Sequence, residues 1–118
     1  MPAKSVSVTK EFTFCAAHNL ENYKGKCESL HGHTWKIQIT VSGSLGEDGI
    51  VFDFTEMKKL VNEHIKSRID HSYLNDMIKQ PTAENIGLWV HEQLSPHMPH
   101  ISMIRVYESP TSYATLNF

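Results

Sequence analysis

A strict alternation of apolar and polar residues over positions 34–41 is the feature that most constrains how this chain folds. Every second residue is large and apolar, namely Trp35, Ile37, Ile39 and Val41. Successive side chains of a β-strand point to opposite faces, so this pattern predicts a strand with one buried face. The fold must therefore supply a layer of structure that covers that face.

Three further segments have strand-like patterns. Residues 5–14 alternate with one interruption, at Lys10. Residues 103–108 and 112–118 are separated by Ser109-Pro110-Thr111, a sequence that is typical of a turn. The last two segments are therefore predicted to form a hairpin.

Two amphipathic helices are predicted between the strand pairs. The first has Thr55 as its N-cap and apolar residues at three-and-four spacing as far as Ile69. A loop is expected over about residues 70–81. Thr82 is then predicted to cap the second helix, which ends before Pro96.

The predicted order β-β-α-α-β-β assigns the chain to the α+β class, with an antiparallel sheet and two helices on one face. At 118 residues, the chain is expected to be one domain spanning residues 1–118. A single helical layer leaves the other sheet face and both edges uncovered. Such a sheet is typical of an oligomeric protein.

Charge and apolar content exclude several functional classes. Lys and Arg total 11 and Asp and Glu total 13, for a formal net charge of −2, with no basic stripe of the kind that binds nucleic acid. No apolar run approaches the roughly 18–20 residues of a membrane helix, and no signal-peptide pattern is visible. We expect a cytoplasmic protein that binds neither nucleic acid nor membrane, with Cys15 and Cys27 as reduced thiols.

Three of the eight histidines are predicted to converge on one site. His31 and His33 point to one side of an extended chain and share the parity of the apolar residues at 35–41. His18 shares the apolar parity of the first strand, and antiparallel pairing brings it to the same end of the sheet. Three imidazoles fit a catalytic zinc site with an open coordination position. The alternative is that all three are polar strand-end residues.

Three other places are candidates for acid–base chemistry or binding. Cys27, four residues before His31, is a base or nucleophile if it lies beside zinc; otherwise it is a fourth ligand or a small buried residue. Asp70 and His71 match a carboxylate-oriented imidazole, although the end of a helix explains them equally well. Glu108 ends an apolar strand face, where it either binds N–H groups of a ligand or lies at the surface.

Five segments, in order, carry a resemblance to a known enzyme family. They are Phe12-Thr13-Phe14-x-Ala16-Ala17-His18, Cys27-x-x-x-His31-Gly32-His33, Asp70-His71-x-x-Leu74-Asn75, Pro81-Thr82-Ala83-Glu84-Asn85 and Glu108-Ser109-Pro110-Thr111. The chain resembles the 6-pyruvoyl-tetrahydropterin synthase family over nearly its whole length. The short spacing from Cys27 to His31 is similar to that of the 6-carboxy-5,6,7,8-tetrahydropterin synthase branch. In 6-pyruvoyl synthases this gap is typically two residues longer.

The resemblance implies the tunnelling fold (T-fold), in which β-β-α-α-β-β units join their sheets into an oligomeric barrel. It further implies that three units close one barrel and that two barrels stack into a homohexamer, a dimer of trimers. Active sites would then lie between subunits.

The resemblance also implies a zinc cofactor, Zn²⁺, bound by His18, His31 and His33. Cys27 would be the proton acceptor next to the metal. A zinc ion so placed would acidify the substrate's side-chain hydroxyls and polarise the carbonyl that forms.

Four further residues have roles that the resemblance alone implies. Asp70 and His71 would form a proton relay that faces the acceptor across a subunit boundary. Glu108 would grip the pterin ring and is sometimes grouped with the relay. Thr82 matches a pterin-contacting position at the start of the second helix.

The implied reaction is a zinc-dependent carbon–carbon cleavage in queuosine biosynthesis. It converts 7,8-dihydroneopterin triphosphate to 6-carboxytetrahydropterin, acetaldehyde and triphosphate. Three alternatives stay open at this point. They are a 6-pyruvoyl synthase, which eliminates triphosphate without carbon–carbon cleavage, a non-catalytic pterin- or metal-binding module, and a hydrolase that uses a three-histidine zinc hydroxide.

Overall fold

The computed structural model describes residues 5–21 and 29–118, so Cys27 lies outside the described residues. The strands are β1 (Val6–His18), β2 (His31–Gly43), β3 (Ser72–Tyr73), β4 (Ile101–Ser109) and β5 (Ser112–Asn117). The helices are α1 (Phe54–Val61), α2 (Ser67–Ile69) and α3 (Ala83–Leu94). A π-helical turn (Asn62–Lys66) joins α1 to α2, and a 3₁₀ turn (Leu74–Asp76) follows β3.

The strands form one sheet in the order β3-β1-β2-β4-β5. The β1–β2, β2–β4 and β4–β5 pairs are antiparallel, whereas β3 runs parallel to β1. The predicted α+β class and the four predicted strands are confirmed. The segment predicted as a loop also contains β3, which makes the sheet mixed and five-stranded. Two residues are too few for alternation to reveal a strand.

The β1–β2 ladder extends further toward the histidines than the sequence predicted. β1 continues to His18, β2 begins at His31, and these two residues are direct partners across the ladder. The apolar pattern weakens after Phe14, because the following residues are small. Pairing with β2 nevertheless keeps the chain extended, and it carries the histidines on regular strand positions.

Side-chain caps determine where the two main helices begin. Asp53, and not Thr55, caps α1, since its carboxylate accepts the N–H of Thr55 at 2.9 Å. The prediction of Thr55 as the cap is therefore wrong by two residues. Thr82 caps α3 as predicted, and its hydroxyl accepts the N–H of Asn85 at 3.1 Å. Among the described helices, none is both long and apolar enough to cross a membrane.

The apolar face of β2 lies at the centre of the core. Trp35, Ile37 and Ile39 have no exposed surface. Buried residues of the helical layer belong to the same cluster, and they include Met57, Ile65, Ile69, Ile86, Val90 and Leu94. Burial of a side chain of this size contributes about 1.5–3 kcal/mol. The core therefore holds β2 rigidly up to the point where its histidines begin.

Candidate active site

Three imidazoles lie together at the end of the β1–β2 ladder. The ring centroids are 4.5 Å apart for His18 and His31, 4.6 Å for His31 and His33, and 5.2 Å for His18 and His33. Each ring offers a nitrogen to a common point, and Glu108 offers a carboxylate oxygen. These four ligand atoms all lie within 4.8 Å of one another. The structure thus brings the three predicted histidines together.

Backbone carbonyl groups orient two of the rings. His18 Nδ1 lies 2.8 Å from the Pro81 carbonyl oxygen, and His31 Nδ1 lies 2.8 Å from that of Ser29. A carbonyl oxygen only accepts hydrogen bonds, so each Nδ1 carries the proton and each neutral ring presents an Nε2 lone pair. This arrangement, with the second ring nitrogen held by a carbonyl, is typical of metal-binding histidines.

The distance between the two Nε2 atoms provides a test of whether a cation fits. His18 Nε2 and His31 Nε2 are 2.9 Å apart. Two neutral rings with Nδ1 protonated would place two lone pairs against each other, which is repulsive. A positive charge shared between them, from a proton or a metal ion, removes that repulsion. Imidazole nitrogens and a carboxylate are suitable ligands for Zn²⁺, so this donor set fits a divalent metal.

Glu108 joins the cluster from β4. Its Oε1 lies 3.0 Å from His33 Nε2 and 3.5 Å from His18 Nε2, and its side chain is 38% exposed. On the other side it lines a cavity of about 300 Å³, together with Ala83, Glu84, Ser112, Tyr113 and Ala114. Glu108 therefore lies between the histidines and an open cavity. Its carboxylate could hold a metal ion together with the histidines, and its pterin contact stays a prediction.

Trp35 separates the histidines from the core. The rings of His18 and His33 stand nearly perpendicular to the Trp35 ring, at 5.0 and 5.3 Å between centroids. The Trp35 indole N–H donates to the Ala16 carbonyl at 3.3 Å. Trp35 was predicted only as a core residue. Its contacts also restrict the orientation of two imidazoles.

The Asp70–His71 pair is attached to the edge of β1. The Asp70 carboxylate accepts the N–H of Cys15 at 3.0 Å and lies 3.3 Å from His71 Nδ1. The backbone N–H of His71 donates to the Cys15 carbonyl at 2.6 Å. The hydrogen bond from the Cys15 N–H lowers the pKa of Asp70 below its usual value; partial burial opposes this, and the charges of His71 and Lys66 add to it.

His71 has an unusual backbone conformation. Its φ is 60°, in the left-handed region, which costs of the order of 1–3 kcal/mol for a residue other than glycine. Its side chain is 79% exposed, and the Asp70 carboxylate is beside Nδ1. Asp70 does follow α2, as the capping alternative required, but its carboxylate is directed at β1. The pair therefore has the geometry of a carboxylate-oriented imidazole.

His71 and His33 border the same shallow hollow. It has a volume of about 510 Å³ and is lined further by Cys15, Ala16, Ala17, Gly32, Thr34 and Ser72. Cys15, Ala17, Gly32 and Thr34 have the strand parity opposite to that of the clustered histidines, so most of this lining belongs to the other face of the sheet. Thr82, by contrast, uses its hydroxyl to cap α3, so its predicted pterin contact stays a prediction.

Sequence reasoning missed several groups that build this site. The backbone carbonyl groups of Ser29 and Pro81 leave no signal in the sequence, because every residue has the same carbonyl acceptor whatever its side chain. Asn75 and Gln80 also escaped notice, although Asn75 lies in a segment that carried the family resemblance.

The match to a known family covers almost the whole chain. Residues 7–117 match the family described as 6-pyruvoyl tetrahydropterin synthase. This chain belongs to that family. The predicted relationship is therefore confirmed, and the residues that match include all of the described site.

Two relatives show the range of activities named within the 6-pyruvoyl tetrahydropterin synthase family. The 6-carboxy-5,6,7,8-tetrahydropterin synthase of Synechocystis sp. is 36% identical over 115 residues, covering 91% of this chain and 89% of the relative. The dihydroneopterin monophosphate aldolase of Pyrococcus furiosus is 38% identical over 87 residues, covering 74% and 73%. The named relatives support a pterin-directed synthase activity for this member of the family.

A solved structure confirms the family fold. The 6-pyruvoyl tetrahydropterin synthase of Caenorhabditis elegans superimposes with a TM-score of 0.83 at 22% identity, covering 100% of this chain and 97% of that one. At this identity the likeness shows the fold alone. It confirms the α+β tunnelling-fold unit that the family resemblance implied.

Proposed function

We propose that this chain is a zinc-dependent 6-carboxy-5,6,7,8-tetrahydropterin synthase, a cytoplasmic carbon–carbon lyase of queuosine biosynthesis. With one water molecule consumed, it would convert 7,8-dihydroneopterin triphosphate to 6-carboxytetrahydropterin, acetaldehyde and triphosphate. The observation that carries the proposal is the cluster of His18, His31 and His33, whose ligand atoms lie with that of Glu108 within 4.8 Å of one another. A non-catalytic pterin- or metal-binding module would need neither Cys27 nor the Asp70–His71 pair.

His18, His31 and His33 would hold the zinc ion. Bound there, zinc would lower the pKa of the substrate's side-chain hydroxyls and polarise the carbonyl group that forms. The chain's own contribution at this point is orientation. The carbonyl groups of Pro81 and Ser29 keep Nδ1 protonated, so that Nε2 of His18 and of His31 is directed to the centre of the cluster.

Proton transfer is assigned to Cys27 and to the Asp70–His71 pair. Cys27 is proposed as the base because it matches the proton-acceptor position that the family resemblance implies, and because a nearby zinc ion would favour its thiolate. Asp70 is ionised at neutral pH, as an ordinary aspartate is, and the Cys15 N–H lowers its pKa further; its negative charge therefore favours a proton on Nδ1 of His71. The exposed Nε2 of His71 is then free to exchange a proton with the substrate.

Substrate binding is assigned to Glu108 and to the cavity beside it. A carboxylate accepts two N–H groups in one plane, which matches the guanidine-like edge of a pterin. Glu108 and Tyr113 both line the cavity, and Thr82 immediately precedes its lining residue Ala83. We propose that Glu108 turns from the histidines to the pterin when substrate enters.

The proposal includes a homohexamer built as a dimer of trimers. Among the described strands, β5 pairs only with β4, so its outer edge is available to another subunit. Light scattering should give about six times the mass of one chain. An active species with the mass of a single chain would contradict this part of the proposal.

The nearest alternatives are a 6-pyruvoyl synthase and an aldolase, because both activities are named among the curated relatives. The three-residue gap between Cys27 and His31 favours the 6-carboxy branch. All three reactions need acid–base groups beside an activated side chain, so the site geometry alone suits each of them.

Product analysis distinguishes these reactions. Zinc-loaded protein is incubated with 7,8-dihydroneopterin triphosphate, acetaldehyde is trapped, and the pterin product is identified by mass spectrometry. The expected result is one acetaldehyde per triphosphate released, with no release by His31→Ala. His97→Ala is the matched control, since His97 is exposed and stacks on His64 away from the site. Triphosphate release without acetaldehyde would identify a 6-pyruvoyl synthase instead.

A further inference from the structure

One edge of β1 is paired by a succession of groups from residues 70–80. Backbone N–H and C=O groups alternate in direction along a strand, so those of residues 15 and 17 point to the same edge of β1. Residues 19 and 21, which follow the end of β1, are hydrogen-bonded to the same segment. Cys15 pairs there with Asp70 and His71, and Ala17 pairs with Tyr73 of β3. After Tyr73 the neighbouring chain enters a 3₁₀ turn and offers no further strand.

Two side-chain carboxamides continue the pairing where β3 ends. Asn75 accepts the N–H of Asn19 at 3.0 Å and donates to the Asn19 carbonyl at 2.8 Å. Gln80 accepts the N–H of Glu21 at 2.8 Å and donates to the Glu21 carbonyl at 3.0 Å. A carboxamide carries the donor and acceptor of a peptide group. Asn75 and Gln80, here called the carboxamide clamp, therefore make the hydrogen bonds that backbone groups of a neighbouring strand would otherwise make.

Gln80 is itself held in place by the start of α3. Its φ is 52°, in the left-handed region that is uncommon for residues other than glycine. Its carbonyl accepts the N–H of Thr82 at 2.8 Å and the side-chain amide of Asn85 at 2.9 Å. The clamp therefore connects α3 to the chain that leaves β1.

The clamp holds two residues that determine the position of His18. Asn19, held by Asn75, follows His18 directly in the chain. Pro81, which accepts a hydrogen bond from His18 Nδ1, follows Gln80 directly. We propose that Asn75 and Gln80 are positioning residues that fix the direction of His18 Nε2 within the histidine cluster. This inference rests on the proposed zinc site.

The test combines hydrogen exchange in metal-free protein with zinc binding. Gln80→Asn keeps a carboxamide and a residue that tolerates the left-handed backbone, but the side chain is one methylene too short. Asn75→Ala removes the other half of the clamp. Gln38→Ala is the control, since its hydrogen bond is a 3.4 Å contact with Glu11 on the exposed side of the sheet. Zinc affinity is measured by competition with a chromophoric chelator.

We expect amide exchange to quicken by roughly threefold to tenfold at Glu21 in Gln80→Asn and at Asn19 in Asn75→Ala. Zinc affinity should fall about tenfold in each, the scale on which outer hydrogen-bond partners of metal ligands act. Gln38→Ala should change neither quantity. Amide exchange at Ile37, in the middle of β2, should stay slow in both variants, because it reports on the stability of the whole fold. If Asn75→Ala speeds exchange at Ile37 and Gln80→Asn does not, Asn75→Ala has destabilised the fold, and the result for Gln80→Asn is used.

Two results would overturn the proposal. One is exchange at residues 19 and 21 that matches the wild type in both variants. The other is faster exchange at these residues with zinc affinity unchanged, which would make the clamp structural only. A wild-type protein that binds no zinc would instead contradict the proposed metal site, and with it the role of the clamp. Amide exchange at residues 19 and 21 would still show whether the hydrogen bonds of the clamp form.

Discussion

The inner face of β2 has two halves with the same geometry and opposite chemistry. From Trp35 to Val41 its side chains are apolar and buried under the helices, whereas His31 and His33 continue the same parity at the open end. Trp35 has no exposed surface, while the His33 side chain is 26% exposed. Strand alternation determines where side chains point in both halves. Polarity and access to solvent determine whether they form a core or a site.

Trp35 is the boundary between the halves, because it packs in the core and also stands against His18 and His33. If the halves are chemically independent, a substitution in the buried half should leave zinc binding at the open end unchanged. The following predictions test that separation, from the largest expected effect to the smallest.

The largest effect is expected from removing the proposed proton-transfer groups at the open end. Cys27→Ala and His71→Ala should each lower kcat by at least ~10²-fold, the usual scale for lost acid–base catalysis. The double variant should be little worse than the poorer single variant, because groups that act as a unit are not additive. Steady-state kinetics with the triphosphate substrate measures all three.

Folding must be kept separate from chemistry in this series. Zinc content and oligomer mass should match the wild type in each variant. Near-normal turnover by His71→Ala with its metal retained would mean that the Asp70–His71 pair is structural and is not a proton relay.

The converse change is Ile37→Ala, in the buried half of β2. It removes a fully buried side chain and should lower the free energy of unfolding by about 2–5 kcal/mol, through lost burial and the cavity that remains. Zinc bound per folded chain should stay at the wild-type level, as measured by metal analysis below the unfolding transition. Loss of zinc from folded Ile37→Ala protein would show that the halves are coupled.

A smaller effect is expected from the pH dependence of stability. The pKa of Asp70 is lowered in the folded protein, chiefly by the Cys15 N–H hydrogen bond, relative to about 3.9 in an unfolded chain. The stabilisation is therefore present above pH ~4 and is lost as the pH falls through the lowered folded value. Urea unfolding between pH 7 and 2.5 should show a steeper acid loss in the wild type than in Asp70→Asn. Equal slopes would mean that the carboxylate does not stabilise the edge of β1.

Much of the site could be predicted from the sequence because it follows from strand parity. The positions of His18, His31 and His33 need only two alternating strands and antiparallel pairing. Glu108 was predicted to end an apolar strand face, but its approach to the histidines depends on the register of β4 against β2. That register pairs Tyr107 with Lys36, and the residue pattern of β4 alone does not specify it.

The remaining parts of the site have no periodic signal. β3 has two residues, and Asn75, in the 3₁₀ turn, and Gln80 each act through a single side chain. The predicted loop over residues 70–81 was the least informative part of the sequence. It nevertheless provides a strand, the Asp70–His71 pair and the carbonyl that orients His18. The role of Cys27 stays a prediction, since it lies outside the described residues.

Zinc content is the most direct test of the claim that the open end of β2 is a metal centre. Wild-type protein, His31→Ala and the matched control His97→Ala are purified with zinc, dialysed and analysed by atomic emission, with circular dichroism to verify folding. The account predicts one zinc per chain in the wild type and in His97→Ala, and almost none in folded His31→Ala. Wild-type zinc content in His31→Ala would contradict it.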